Sequence, residues 1–300
     1  MKLDGILNIN KPLGKTSFSV VALVRQLTGE RRVGHAGTLD PAATGVLPVC
    51  LGQGTRVTQF LMDATKCYRA EIELGVTTDT YDAWGKITDR GDPSQISQEQ
   101  LLLALTSFTG EIQQVPPMYS AVKHRGRRLY ELARRGINVE RKSRLARIHS
   151  LQLIDWRPPV ATIELVCGKG TYIRSLAHDL GQALGCGAIV KGLVRSRCGP
   201  FNISDAVSVP QLEDAVRYGY WQNLIYPIDT VLLDRTAIVV SEATGNVIKN
   251  GCPVTVDNDD SLKPVSIENR CRAYTDDGSL IGVLRFNRET GQWQPEKVFL

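Results

Sequence analysis

Gly34-His35-Ala36-Gly37-Thr38-Leu39-Asp40-Pro41-Ala42-Ala43-Thr44-Gly45 sets one carboxylate among three glycines, a proline and an apolar leucine. Glycine lets a backbone turn tightly or approach a ligand closely, and proline fixes its own φ. A stiff loop that holds Asp40 in one place is expected, in the kind of segment that more often carries function than packing. Taken alone, Asp40-Pro41 also reads as a turn start or a helix cap.

The flanking sequence supplies a frame. Gly5 to Asn10 reads as a short strand ending at Lys11-Pro12. Ser17 is expected to cap a helix whose Val20, Val21, Val24 and Leu27 recur at helical spacing. Val46 to Leu51 is a second strand, and Thr55 is expected to cap a helix through Met62. Cys67 to Leu74 alternates strictly: Tyr68, Ala70, Ile72 and Leu74 share one face, Arg69, Glu71 and Glu73 the other. Tyr68 is therefore expected to point inward.

Further along, Ser97 and Gln100 make a capping box for a helix to Phe108, closed by Gly110. Pro116-Pro117 opens a basic stretch with one short helical run, Leu129 to Arg135. Leu151 to Ile154 and Ala161 to Cys167 read as strands. Gly170 leads into a helix with Ile173, Leu176, Ala177, Leu180 and Leu184 on one apolar face and Arg174 off it, ended by Gly185. From about Arg235 the texture changes to short strands, with Asp277-Gly278 turning a hairpin between Arg272–Tyr274 and Leu280–Phe286. The pattern predicts an α+β chain: a catalytic-sized domain over 1–234 and a small, mostly β domain over 235–300.

Charge is unevenly spread. Between Lys123 and Arg147 stand ten Lys or Arg against two acids, in a chain of net charge +5. Eight of the ten are Arg, whose guanidinium fork matches phosphate oxygens, so this segment is expected to bind a nucleic-acid backbone rather than serve only as a solvated face. From Arg235 onward eight basic residues meet nine acidic ones, so any contribution of the tail to such binding is local. The seven cysteines lack a CxxC pair and the four histidines lack HxxxH or HExxH spacing, which argues against a disulfide framework or a metal site. Most of the cysteines are expected to be buried, inert thiols. No stretch has signal-peptide or membrane-spanning character, and a cytoplasmic protein is expected.

Three tempting motifs fail. Gly14-Lys15-Thr16 lacks the upstream glycine of a P-loop, which would fall at Ile9. Ser120-Ala121-Val122-Lys123 has no KTG triplet after it, and Gly52-Gln53-Gly54 lacks the third glycine of a dinucleotide fingerprint.

The run from Gly34 to Gly45 resembles the GHxGTLDPxATG signature of the bacterial TruB family of tRNA pseudouridine-55 synthases. The resemblance continues through Lys11-Pro12, Tyr68-Arg69, Asp79-Thr80-Tyr81-Asp82-Ala83, Pro117-Met118-Tyr119-Ser120-Ala121 and Lys169-Gly170-Thr171-Tyr172-Ile173-Arg174. It implies a pseudouridine synthase fold, with a large mixed or antiparallel sheet flanked by helices. Around Asn250-Gly251-Cys252-Pro253-Val254 the tail resembles a divergent PUA-like RNA-binding module.

Carried over by position, the resemblance makes Asp40 the catalytic aspartate, Tyr68 the active-site tyrosine and Arg174 the arginine that pairs with the acid. Lys11 falls near the site, His35 where flipped-out nucleotides are accommodated, and Tyr172, Leu193 and Asp82 among the substrate-contacting positions. The segment of about 117–149 matches a mobile insertion that closes over an RNA stem-loop, with Lys123, Arg125, Arg127, Arg128, Arg134 and Arg135 as its phosphate contacts. The implied partner is the TΨC stem-loop of tRNA, bound by a monomer with no guide RNA, protein partner, membrane or cofactor.

The chemistry suits these residue types. Forming pseudouridine breaks the N1–C1′ glycosidic bond, turns the uracil and rejoins it through C5, with no net redox change. One ionised carboxylate serves as a nucleophile at base or sugar, or as a base on the sugar. A guanidinium compensates its charge where water is excluded, and an aromatic ring packs on a uracil that has left its stack. The competing readings are a non-catalytic RNA-binding or RNA-folding protein, which has no need of Asp40 in its glycine frame, a synthase acting on other RNA, and a guide-dependent relative.

Overall fold

The computed structural model describes residues 3–255 and 269–300. The chain begins with β1 (Gly5–Lys11), α1 (Ser17–Thr28), β2 (Val33–His35), β3 (Ala43–Leu51), α2 (Thr58–Asp63) and β4 (Lys66–Leu74). A small pair, β5 (Val76–Thr78) and β6 (Ile87–Arg90), is followed by α3 (Gln98–Thr106) and β7 (Gly110–Gln114). The basic insertion then holds β8 (Lys123–His124), β9 (Arg127–Arg128) and α4 (Leu129–Ala133). After it come β10 (Arg144–Arg157), β11 (Val160–Cys167), α5 (Ile173–Ala183) and β12 (Ala188–Cys198). Short pieces β13 (Phe201–Asn202), β14 (Val207–Ser208), α6 (Val209–Arg217) and β15 (Ile225–Tyr226) lead to the tail, β16 (Thr236–Val240), α7 (Glu242–Lys249), β17 (Arg270–Thr275), β18 (Leu280–Asn287) and β19 (Gln292–Val298).

Among the described residues an eleven-stranded sheet runs β14-β1-β3-β12-β4-β11-β10-β7, with β2, β13 and β15 attached at its sides. It is mixed, because β12 lies parallel to β3 and antiparallel to β4. The alternation of β4 holds: Ala70, Ile72 and Leu74 are buried, while Arg69 and Glu71 face solvent. Onto that face α5 lays Ile173, Leu176, Ala177 and Leu180, joined by Leu101 and Leu105 of α3. A second core packs Val20, Val21 and Val24 of α1 and Leu212 of α6 on Leu7, Ile9, Leu47 and Val49. Each such buried aliphatic side chain contributes about 2 kcal/mol, so each core holds its own half of the sheet. Tyr68 and Leu193 pack against both cores and mark the seam between them.

The tail is a four-stranded sheet, β16-β17-β18-β19, with the hairpin at Asp277-Gly278 where expected. It is less purely β than its pattern suggests, since α7 covers it through Ile248. Val283 and Phe299 enter a cluster with Ala36, Val46 and Cys50, so the small sheet packs directly on the back of β3.

Local expectations are corrected in three places. Thr16, not Ser17, caps α1, accepting a bond from the Ser19 backbone. The Ser17 hydroxyl is engaged elsewhere, accepting from Leu39 N at 2.8 Å and donating to Leu39 O at 3.0 Å. Thr55 caps nothing. Gly52–Val57 forms a tight 3-10 segment in which the Thr55 hydroxyl donates back to Gly52 O, and α2 starts only at Thr58. The basic insertion is shorter than its charge suggests, because Arg144 and Arg147 belong to β10, opposite Gln114 and Glu111 of β7. It also has a core of its own, in which Met118, Leu129 and Leu132 pack with Tyr119, Val122, Ala133 and Val139.

Candidate active site

Asp40 stands in the turn before β3, and that turn is held at several points. Gly14 N donates to Pro41 O at 2.9 Å, and Ala43 N to Asp40 O at 3.0 Å. The Ser17 clasp fixes Leu39 from the other side. Gly45 has φ +103°, and a Cβ there would meet the Arg195 carbonyl at 2.3 Å. Only glycine lets β3 and β12 come this close.

Opposite Asp40 stands Arg174, in the first turn of α5. Its Nη2 lies 2.9 Å from Asp40 Oδ2, and its side chain is 6% exposed against 38% for the carboxylate. Nη2 also donates to Tyr119 O at 2.8 Å and Nη1 to Thr80 O at 3.0 Å, with Asp82 Oδ2 at 3.7 Å from Nη1. Asp82 is buried and is itself oriented by the Thr80 hydroxyl at 2.7 Å and Trp84 N at 3.0 Å. A buried guanidinium is tolerable only with such a full set of acceptors, and this one is thereby aimed at Asp40.

A cavity of about 560 Å³ opens over the pair, lined by Asp40, Arg174, Tyr68, Tyr172, Leu193 and Arg195 among others. Burial pushes the Tyr68 phenol up to about 12, so its ring is a neutral wall. Tyr172 closes the N-terminal end of α5, its backbone exchanging bonds with the Gln114 amide at 3.0 and 3.2 Å, and burial raises its phenol also. Two acids, Asp40 and Asp63, share the lining with Lys66, Arg144, Lys169, Arg174 and Arg195, so the cavity is on balance cationic.

Other expected residues lie around this cavity rather than on its wall. Lys11 is fully buried beneath the loop, donating to Pro12 O at 2.9 Å and Lys15 O at 2.7 Å. Burial brings its ammonium down to about 8, with the charge of Asp40 acting in the opposite sense. His35, on β2, is half-buried, and burial followed by the Arg195 charge lowers its pKa. Lys123, Arg125, Arg127, Arg128, Arg134 and Arg135 are all exposed on the insertion, where Arg128 and Arg134 lie over the Tyr130 ring. Arg144 and Leu145 of β10 are the cavity's neighbours from that side.

One residue escapes any local reading. Among the described residues Arg195 is the largest fully buried side chain, and it donates through Nε to Val46 O at 2.7 Å and through Nη2 to Gly37 O at 3.1 Å. It braces both ends of the Asp40 loop from β12. In the sequence it is one of three charges in Ala188–Cys198, with Lys191 and Arg197, and nothing local singles it out. Among the described residues no cluster of three His, Cys, Asp or Glu side chains is placed to hold a metal ion, and five of the seven cysteines are buried.

The fold is that of the pseudouridine synthases. A crystal structure of a Cbf5-Nop10-Gar1 complex superposes with TM-score 0.76 at 25% identity, over 99% of this chain and 85% of that one. A structure of an H/ACA RNP bound to a substrate RNA containing 2′-deoxyuridine, at 23% identity and TM-score 0.73, shares the fold. Residues 25–173 match the model of the TruB family pseudouridylate synthase N-terminal domain, and residues 174–233 that of the tRNA pseudouridylate synthase B C-terminal domain. Both end before the small sheet begins at Thr236. Relatives extend further: a tRNA pseudouridine synthase B of Dehalococcoides mccartyi is 46% identical over 298 residues, 99% of this chain and 97% of that one. That of Clostridium kluyveri is 42% identical over 285 residues, 94% and 95% of the two chains. The chain belongs to the TruB family of pseudouridine synthases, and it is an isomerase.

Proposed function

We propose that the protein converts uridine 55 in the TΨC stem-loop of tRNA to pseudouridine, with Asp40 as its catalytic carboxylate. The observation that carries this reading is the 2.9 Å pairing of Asp40 with the buried Arg174 at the floor of a cavity walled by Tyr68 and Leu193. The target nucleotide leaves its stack and enters the cavity, where its uracil lies against Tyr68. Arg174 compensates and orients the acid while the N1–C1′ bond breaks. The base then turns so that C5 meets C1′, and the C5 hydrogen is released as a proton. Leu193 and Tyr172 restrict the base to a planar slot in which that turn takes place, and Lys11 and His35 support the loop from beneath.

The exposed arginines of the insertion, with Lys123, hold tRNA phosphates, and the small terminal sheet acts as a PUA-like RNA-binding domain. The insertion's own core supports a protein that grips its RNA alone, as a monomer in the cytoplasm without guide RNA or partner. No helix among the described residues is long and apolar enough to cross a membrane. The test is incubation of the purified chain alone with tRNA transcribed without modification, followed by mapping of pseudouridine at every uridine. Conversion confined to position 55 supports the proposal, and conversion elsewhere or none refutes it.

A further inference from the structure

Arg174 and His178 stand one turn apart on α5, so their side chains share a face of the helix. The turn Asp79–Asp82 touches both. Its Thr80 carbonyl accepts from Arg174 Nη1 at 3.0 Å, and the next residue, Tyr81, lays its ring flat on the His178 imidazole, centroids 4.0 Å apart and planes at 11°. Tyr81 has φ +62°, a left-handed conformation that residues with a Cβ rarely adopt and that persists only where surroundings enforce it. The backbone around it is tied down, with Val190 N donating to Tyr81 O at 3.1 Å.

The His178 ring meets Tyr81 with its face. Its Nδ1 is buried with no hydrogen-bond partner among the described residues, so this side of the histidine makes no polar contact. Burial, and after it the charge of Arg141 of the insertion, lowers the imidazole's pKa, and Arg141 Nη1 donates to Pro116 O at 3.1 Å. Tyr119, just beyond Pro116, gives Arg174 its second carbonyl. The segments that supply Arg174 with acceptors thus meet on one face of α5, and the aromatic stack joins the turn to that face one helical turn from the guanidinium.

We propose that the Tyr81–His178 stack is a positioning element: by fixing the 79–82 turn on α5, it holds the Thr80 carbonyl and Asp82 in place and so keeps Arg174 aimed at Asp40. The proposal rests on Asp40 and Arg174 being the working pair. Misplacement of a catalytic group by about 1 Å can cost on the order of a hundredfold in rate, so loosening this support should act on turnover rather than on RNA binding.

The test measures tritium release from a stem-loop carrying 5-tritiated uridine, with kcat, KM and Tm recorded for each variant. Tyr81→Asn keeps a residue that tolerates the left-handed backbone but removes the ring, and His178→Ala removes the other half. Each should lower kcat at least about tenfold with KM and Tm little changed, and His178→Phe, which can still stack, should restore the rate. In an Arg174→Lys background, Tyr81→Asn should cause no further loss, because the group it positions is gone. A slow Arg174→Lys enzyme beside a wild-type rate for Tyr81→Asn overturns the stack alone. So does a full further loss in the double variant, or a His178→Phe protein that regains Tm without turnover. A wild-type rate for Arg174→Lys overturns the working pair, and the positioning role with it.

Discussion

Arg174 Nη2 lies 2.9 Å from Asp40 Oδ2, yet the arginine is almost completely buried and the aspartate opens to the cavity. The asymmetry means that the guanidinium is the fixed member of the pair and the carboxylate the one open to an incoming group. Arg174→Lys should therefore be strongly impaired although the charge is kept, because an ammonium cannot serve Thr80 O, Tyr119 O and Asp40 in one plane. Single-turnover rates on a minimal stem-loop measure this. A rate near wild type would reduce Arg174 to a structural charge.

Asp40→Asn retains the shape of the side chain and an oxygen for Arg174 but removes the ionised group. Turnover should disappear while RNA affinity stays within about tenfold, a change of roughly 1.4 kcal/mol at most. Filter binding beside pseudouridine mapping separates the two effects, and substantial residual conversion would remove Asp40 from its role.

Arg195 braces the loop from β12 and also lines the cavity. Replacing it by Met leaves the Val46 and Gly37 carbonyls without their charged donor, and the net loss should be about 2 kcal/mol after the relief of burying a charge is counted. Urea unfolding reads the stability. An unchanged midpoint would show that the brace contributes nothing.

Lys11 gives a pH signature. Burial brings its pKa to about 8 in the folded protein, against 10.5 for an unperturbed lysine. Between those values the unfolded chain binds more protons than the folded one, so this group makes stability rise with pH across the window, its penalty being fully present below about 8. Lys11→Met should lose that rise. Denaturation midpoints at about pH 7.5 and about pH 9 make the comparison, and parallel behaviour of the two proteins would contradict it.

The insertion should govern how binding responds to salt. Neutralising Arg127, Arg128, Arg134 and Arg135 together should remove the proposed phosphate contacts, each of which would release a condensed counterion, so tRNA affinity should weaken and its salt slope flatten. A saturating stem-loop should still be converted. Limited proteolysis should cut this segment in the free protein and spare it when tRNA is bound. An unchanged salt slope would make the arginines an ordinary solvated face.

What could be read from the sequence was what is written locally. The period of two in Cys67–Leu74, the apolar face of α5, the Ser97–Gln100 box and the Asp277-Gly278 hairpin each depend on neighbours a few residues away, and each is found. The Asp40 loop was legible because its glycines and proline constrain the backbone wherever it lies. Arg195 was not, because its partners are 149 and 158 residues distant and an arginine in a strand ordinarily faces water. Ser17 misled for a related reason: two adjacent cap-forming residues look alike until one is claimed by Leu39. The charge run before β10 overstated the insertion, since solvent-facing arginines suit an edge-side strand as well as a loop.

The place of β12 between β3 and β4 has a consequence during synthesis. The ribosome delivers Asp40 and Tyr68 early, but Leu193, which sits opposite both Ala43 and Ala70, emerges much later. Chains fold from the N-terminus as they emerge, and contacts so distant along the chain form late. A nascent fragment that stops before Ala188 lacks the strand that joins the two halves of the sheet, so the Asp40 loop and β4 are not yet held in one sheet. The edge pieces β14 and β15, which pair with β1, follow only after that joining strand.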